Sequence, residues 1–116
     1  MAIQQEIGNK GELLAANYLK KKGYEVLHKN YRAGKSEIDL ICKDANFLVF
    51  VEVKTRSKVN FGNPESFVND AKAAKIMEGA EAYMLENNWN DPIRFDIISI
   101  LLQKETVEVQ HFKDAF

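Results

Sequence analysis

The apolar positions of the chain follow two different periods. Helical spacing predicts a helix from Ile3 to Lys22, with Ile7, Leu14 and Tyr18 on one stripe, and a second helix after Asn69. Shorter apolar runs bounded by turn residues predict strands instead, over residues 24–31, 37–43, 47–55, 94–102 and 106–112. The order α-β-β-β-α-β-β predicts an α/β domain with a mixed central sheet flanked by helices.

The second helix has a clear start and a predicted apolar face. Asn69 is a suitable N-cap, and the helix is expected to run to about Asn88. Residues three or four positions apart are expected to face the sheet: Ala73, Ile76, Met77, Ala80 and Met84.

One predicted strand is apolar on both faces and then becomes charged. Residues 47–51 read Phe-Leu-Val-Phe-Val, which is typical of a strand in the middle of a sheet covered on both sides. Alternation places the next charged residues, Glu52 and Lys54, on one face of that strand. Because a buried charge without a partner is costly, the sequence predicts that these side chains have an ionic partner or a metal.

The hairpin before this strand supplies such a partner. If residues 45 and 46 form a two-residue turn, Asp44 pairs with Phe47, whereas a three-residue loop would shift the register by one. Counting outward from that turn, Asp39 lies opposite Glu52. Opposed Cβ atoms are about 5 Å apart, so two carboxylates there repel each other. A hard cation such as Mg²⁺, which prefers carboxylate oxygens, would turn that repulsion into binding.

Lys54 and Glu12 complete the candidate site. Lys54 lies roughly 6.6 Å along the strand from Glu52, where its ammonium would touch a phosphate or orient a water for phosphodiester hydrolysis. Glu12 belongs to a helix face of small apolar residues that is expected to pack closely on the sheet, so its carboxylate is expected to point inward. Two alternatives stay open. Glu12 pairs with Lys54 or another cation, or the cluster is a buried network of Asp39, Lys54 and Glu52, an arrangement that stabilises a fold poorly.

Composition and charge bound the class of protein. The 116 residues fit one domain spanning the whole chain, and Cys42 is the single cysteine, which excludes an internal disulfide and a cysteine-based metal site. We expect a cytoplasmic protein, since no signal sequence or membrane-spanning run is evident. Residues 10–75 hold 13 Lys and Arg against 8 Asp and Glu, whereas residues 76–116 hold 3 against 8. This asymmetry could present one basic face to a polyanion, or it is ordinary surface variation.

Basic and hydroxyl side chains near the candidate site could contact phosphates, although a solvated loop or helix face is the alternative for each. These residues are Arg32, Lys35, Thr55, Arg56, Lys58, Lys72 and Lys75. His28 and His111 lack ligand-like spacing and are expected to be incidental, whereas Arg94 and Asp96 are expected to form a structural pair.

The motif Asp39, twelve residues, then Glu52-Val53-Lys54 resembles the D…(D/E)-x-K signature of the PD-(D/E)XK, or restriction endonuclease-like, nuclease superfamily. The chain resembles the YraN-like family of small bacterial proteins more closely and over nearly its whole length. The matching blocks are Gly8 to Glu12, Asn30-Tyr31-Arg32, Glu37 to Ile41, Val49 to Arg56, Phe61-Gly62 and Arg94-Phe95-Asp96. Ser36 departs from the family's usual glycine.

This resemblance implies a restriction endonuclease-like fold and a nuclease or nucleic-acid-binding role. Asp39 and Glu52 would hold Mg²⁺ or Mn²⁺, Glu12 would complete the metal site, and Lys54 would assist the water. The leading hypothesis is an endonuclease acting on DNA, including branched intermediates, for which a homodimer would present two sites. The rivals are a non-catalytic nucleic-acid-binding module of the same fold and a scaffold that recruits a DNA-processing protein partner.

Overall fold

The computed structural model describes the backbone of residues 2–56 and 68–116 and the side chains of residues 9–56 and 68–116. Its elements follow the predicted order. They are α1 (Ala2–Lys21), β1 (Glu25–Ala33), β2 (Ser36–Asp44), β3 (Phe47–Arg56), α2 (Asp70–Glu86), β4 (Ile93–Leu102) and β5 (Val107–Phe112). In the described part of the chain, no helix combines the length and hydropathy required to cross a bilayer.

The strands form one five-stranded sheet in the order β1-β2-β3-β4-β5. Neighbouring strands are antiparallel except β3 and β4, which are parallel. Parallel neighbours need a crossover connection, and α2 lies within it. The strand that is apolar on both faces, β3, is the central one, as its sequence predicts. The α/β fold with a mixed sheet and two helices is therefore confirmed.

Each face of the sheet packs against one helix. On one face, Ala15, Ala16 and Leu19 of α1 are fully buried against alternate residues of the central strands, including Val49 and Val51. On the other face, α2 covers a second cluster of buried residues, which consists of Tyr31, Ile38, Ile41, Leu48, Phe50, Ile76 and Ala80. Alternation along β3 therefore places Glu52 and Lys54 on the α2 face.

The α1 helix approaches β3 closely at one point. A Cβ added to Gly11 would lie 1.8 Å from Thr55 Oγ1, so only glycine fits between this turn of the helix and the strand. Glu12, the next residue, is thereby held close to the sheet. This confirms the expectation that a face of small residues around Glu12 packs tightly.

The predicted inward face of α2 is wrong at one position. Met77 is 46% exposed, whereas Ile76, Gly79 and Ala80 are buried. Each residue of an α-helix turns about 100° from the last, so residues 76, 79, 80 and 83 share a face that leaves residue 77 at its margin. Cys42 is fully buried in the cluster on the α1 face, and Trp89 is partly buried against the cluster on the α2 face.

Candidate functional site

Strands β2 and β3 part at the candidate site. Their pairing runs from Asp44–Phe47 to Leu40–Val51, which confirms the two-residue turn and its register. Beyond this last pair, the amide of Val53, two residues after Val51, donates a hydrogen bond of 2.8 Å to Oδ2 of Asp39, the residue next to Leu40. The Asp39 carboxylate thus takes the place of a main-chain acceptor in the fork between the two strands.

The surroundings of Asp39 favour its neutral form. Burial, together with the charges of Glu52 and Glu12, raises the pKa of this carboxyl to about 8, although the hydrogen bond from the Val53 amide and the charge of Lys72 act in the opposite direction. Two neighbouring acids in a partly desolvated fork repel each other when both are ionised. A bound cation would remove that repulsion, so the pair fits the chemistry of a hard metal ion.

Glu52 has a different cationic partner from the one considered in the sequence. Its carboxylate is buried, with 6% of the residue exposed, and Oε2 forms an ion pair with the Lys72 Nζ of α2. The proposed network through Lys54 is therefore corrected, because α2 brings Lys72 onto Glu52. In residues 9–56 and 68–116, the Lys54 ammonium forms no ion pair with a carboxylate.

Lys54 nevertheless lies in the field of the same charges. Burial lowers the pKa of its ammonium, and so do the nearby charges of Arg56 and Lys72, while Glu52 and Asp39 act in the opposite direction. A lysine that is partly desolvated and close to two other cations gives up a proton more readily than a lysine in water. The Lys54 ammonium can therefore donate a hydrogen bond to an anion bound beside it, or transfer a proton to that anion.

Glu12 approaches the cluster from α1, the helix on the other face of the sheet. Burial raises the pKa of its carboxyl, a hydrogen bond with the Asn30 side chain lowers it, and the charges of Glu37 and Glu52 raise it. Asn30 has a left-handed backbone, with φ 52°, a conformation that asparagine tolerates better than most residues. Asn30 is a site neighbour that the sequence analysis did not identify.

The side chains in the described ranges contain no group of three or more His, Cys, Asp and Glu residues placed to hold a metal ion together. Mg²⁺ is often bound through one or two carboxylates, with waters and substrate phosphates completing the shell. The donor set that suits this chemistry is the pair Asp39 and Glu52. The role of Glu12 as a third ligand stays a prediction.

Some of the candidate phosphate-binding residues lie on the central strand or contact it. On the central strand, Thr55 faces Gly11 of α1, and Arg56 ends β3 beside Leu101 of β4. Lys72 contacts Glu52, as described above. Lys58 lies outside the described residues.

The other candidates are more distant and exposed. Arg32 pairs with Glu37 across the β1–β2 hairpin at 2.8 Å, and Lys35 is exposed in the turn of that hairpin. The Ser36 hydroxyl donates a hydrogen bond of 2.7 Å to the Lys75 carbonyl. The hairpin is thereby fastened to α2, with the exposed Lys75 at the junction.

A second polar cluster lies on the α1 face, toward the β2–β3 hairpin. Asp96 is fully buried. Its carboxylate accepts two hydrogen bonds from Arg94, at 2.8 and 2.9 Å, and one from the Asp114 amide, at 3.1 Å. It also contacts the His111 ring nitrogen Nε2 at 2.7 Å. Burial would raise the pKa of Asp96, but the hydrogen bonds from His111 and Arg94 outweigh it and hold that pKa below its usual value. The predicted pair of Arg94 and Asp96 is confirmed.

His111 was expected to be incidental, but its buried side chain is a partner of Asp96. Arg94 also donates hydrogen bonds to Asp44 and to the Tyr24 hydroxyl. An open cleft of about 510 Å³ adjoins this cluster. The cluster joins the C-terminal residues to β4 and does not face Glu52. Its spacing of 15 residues between Asp96 and His111 carries no recognisable local signal.

Comparison with protein families gives one match. The model of the uncharacterised protein family UPF0102 matches residues 11–100. Among its members, a UPF0102 protein of Flavobacterium psychrophilum is 41% identical over 116 residues, covering 100% of this chain and 98% of the relative. A UPF0102 protein of Caldanaerobacter subterraneus subsp. tengcongensis is 44% identical, covering 97% and 96%. One from Clostridioides difficile is 43% identical, covering 97% of each chain. The chain therefore belongs to the uncharacterised protein family UPF0102, the YraN family that its motifs resemble.

Proposed function

We propose that this protein is a divalent-metal-dependent nuclease that hydrolyses phosphodiester bonds in DNA. The observation that carries the proposal is the position of Asp39, whose carboxylate lies in the β2–β3 fork against the Val53 amide and within the electrostatic reach of Glu52. Lys54 follows two residues after Glu52 on the same strand face. Two acids and an amine at this spacing form the D…(D/E)-x-K pattern of metal-dependent nucleases.

Stability alone does not account for this arrangement. The charge of Glu52 raises the pKa of Asp39, and the repulsion between the two carboxylates costs free energy in the folded state when both are ionised. Replacing buried ionic groups with apolar ones commonly leaves stability unchanged or improves it. Titratable groups perturbed in this way are concentrated at functional sites, which favours a chemical role over a structural one.

Each residue has a distinct task in the proposed reaction. Asp39 and Glu52 would hold a Mg²⁺ or Mn²⁺ ion, which would supply Lewis-acid polarisation and neutralise charge on the phosphate. The Val53 amide fixes the orientation of the Asp39 carboxylate by donating to Oδ2. Lys54, with its pKa lowered by burial and by neighbouring cations, would donate to a phosphoryl oxygen or accept a proton from the attacking water.

The proposed substrate is DNA, because the resemblance to the restriction endonuclease-like superfamily and the basic residues around the fork both favour a nucleic acid. Lys72 pairs with Glu52, the charge of Arg56 acts on Lys54, and Arg32, Lys35 and Lys75 lie toward the β1–β2 hairpin. Phosphate contacts of this kind position a duplex without reading its sequence. Branched DNA is the preferred class to test, since two copies of the site would meet two strands.

A cleavage screen tests the proposal. Purified protein is incubated with linear, nicked, flapped and four-way DNA, and with RNA, in Mg²⁺, in Mn²⁺ and in EDTA. Cleavage is expected with metal only. Asp39→Asn, which keeps an acceptor for the Val53 amide, and Lys54→Met are each expected to reduce the rate by ~100-fold or more, the usual effect of losing one transition-state contact.

The matched control is Lys43→Met, which removes an exposed lysine of β2 away from the fork, and it should cleave like the wild type. Cleavage that survives EDTA or Asp39→Asn would indicate a contaminant and contradict the assignment. If no substrate is cut but four-way DNA still binds, the protein is a non-catalytic nucleic-acid-binding module of this fold.

A further inference from the structure

Lys72 occupies the place at Glu52 where a cation is needed. It is the third residue of α2, and its ammonium contacts Glu52 Oε2 across the gap between helix and sheet. The two partners differ in exposure, since the Lys72 side chain is 44% exposed and that of Glu52 only 7%. The carboxylate is therefore held in the protein, whereas the ammonium is free to leave toward solvent.

The start of α2 is anchored independently of this ion pair. The Asn69 side chain caps the helix by accepting a hydrogen bond of 2.8 Å from the Lys72 amide. The Ser36 hydroxyl donates a hydrogen bond of 2.7 Å to the Lys75 carbonyl. Ile76 and Ala80 are buried against the sheet one and two turns later. The Lys72 backbone thus stays in position when its side chain moves.

We propose that Lys72 is the exchangeable counterion of Glu52, which holds the carboxylate when no metal is bound and turns to a substrate phosphate when a divalent cation takes its place. This proposal rests on the proposed function, because it assumes that Glu52 binds metal. A divalent cation and an ammonium at the same carboxylate repel each other, so the two compete. Once released, the half-exposed ammonium lies beside the site where a phosphate would be bound.

This role predicts that removing the Lys72 charge changes the affinity for metal and the affinity for DNA in opposite directions. Removing the Lys72 charge should strengthen binding of the metal, because the ion no longer has to displace a competitor. The same change should weaken binding of DNA, because a phosphate contact is lost. A lysine that only braces α2 against β3 would make no phosphate contact, so its removal would leave the salt dependence of DNA binding unchanged.

The first experiment uses the full-length protein and the metal alone. Mn²⁺ is titrated calorimetrically into the wild type, Lys72→Met and the control Lys43→Met. A half-exposed ion pair is worth ~1 kcal/mol, which corresponds to about fivefold in affinity, so Lys72→Met should bind Mn²⁺ about fivefold more tightly. Lys43→Met should match the wild type.

The second experiment measures binding of four-way DNA in Ca²⁺ across a series of salt concentrations. For Lys72→Met, the slope of log affinity against log salt should fall in magnitude by about 1, as expected for one phosphate contact. If Lys72→Met does not fold, ammonium NMR of the wild type replaces it. The Lys72 signal, assigned with Lys72→Arg, should shift when Mg²⁺ is added and shift again with DNA.

The outcomes separate this proposal from the proposed function. If Asp39→Asn abolishes Mn²⁺ binding but Lys72→Met leaves it equal or weaker, the counterion role is overturned while the metal site stands. An unchanged Lys72 ammonium signal on addition of Mg²⁺ would overturn it in the same way. If the wild type binds no divalent ion, both proposals fail.

Discussion

The contact between α1 and β3 makes a strong prediction about Gly11. Replacing Gly11 with alanine puts a Cβ 1.8 Å from Thr55 Oγ1, 2.9 Å from Thr55 Cβ and 3.0 Å from Cγ2. Ordinary contacts of a Cβ lie at 3.4–4 Å. Rotating Thr55 does not clear the clash, because its Cβ and methyl group are already too close. The helix itself must therefore move away from the strand.

The cost can be worked out from two opposing effects. Overpacking of this kind typically destabilises by about 1–3 kcal/mol, while alanine is better than glycine in a helix interior by about 1 kcal/mol. The new Cβ would lie so far inside an ordinary contact distance that the upper end of the overpacking cost, about 3 kcal/mol, applies. Subtracting the helix-propensity gain, we expect Gly11→Ala to lower the free energy of unfolding by roughly 2 kcal/mol. Glu12 moves with the helix, so the rate of DNA cleavage should fall as well.

Urea unfolding followed by circular dichroism measures this change. The control is Gly79→Ala in α2, where the new Cβ would lie 3.1 Å from Ser36 Cβ and 3.2 Å from Ile38 Cδ1. These distances are slightly shorter than ordinary contacts but far longer than the 1.8 Å at Gly11. The gain in helix propensity offsets this crowding, so the free energy of unfolding of Gly79→Ala should stay within about 1 kcal/mol of the wild type. Thr55→Ala removes the 1.8 Å clash and should recover part of the loss in the double variant. Equal stability of Gly11→Ala and wild type, or strictly additive effects with Thr55→Ala, would refute the reasoning.

Two further predictions concern the titratable groups. The pKa of Asp39 is about 8 in the folded protein, against an ordinary value of 3.8 for an aspartate carboxyl. Between these values the folded state keeps a proton that the unfolded state releases. The stabilisation from this proton is therefore complete below pH ~4 and is lost as the pH rises toward 8. Urea unfolding in EDTA should show that decline in the wild type and not in Asp39→Asn, and identical pH profiles would contradict the argument. The second prediction concerns Arg94→Met, which leaves the buried Asp96 without its main hydrogen-bond donor. This variant should lower the free energy of unfolding by about 3–5 kcal/mol. A loss below about 1 kcal/mol would show that His111 and the Asp114 amide are enough to stabilise the buried carboxylate.

The hairpin shows why part of the candidate site could be predicted. A two-residue turn sets the register of the strands on either side of it, so the pairing of Asp44 with Phe47 predicts that Asp39 lies beside Glu52. The pairing of β2 and β3 confirms that register up to Leu40 and Val51. All of the information needed lies within a few residues of the turn.

Lys72 shows where such reasoning ends. Its spacing from Lys75 predicts that both lysines share a helix face, yet Lys72 forms an ion pair with Glu52, whereas Lys75 pairs with none of the described carboxylates. The difference depends on how α2 is rotated about its axis and how far it is shifted along the sheet. Both depend on the packing of Ile76 and Ala80 against β-strands that are distant in sequence.

The chain's own pattern of apolar positions, turn residues and charges was sufficient to predict the order of elements, the central strand and the hairpin register as far as Leu40 and Val51, which brings Asp39 near Glu52. Each of these features depends on residues near one another in the chain. The partner of Glu52, the contact of Glu12 with Asn30 and the buried environment of Asp96 required the folded molecule. Each of these joins elements that are far apart in sequence, and the orientation of packed helices and strands, which arises from many weak contacts at once, sets their distances.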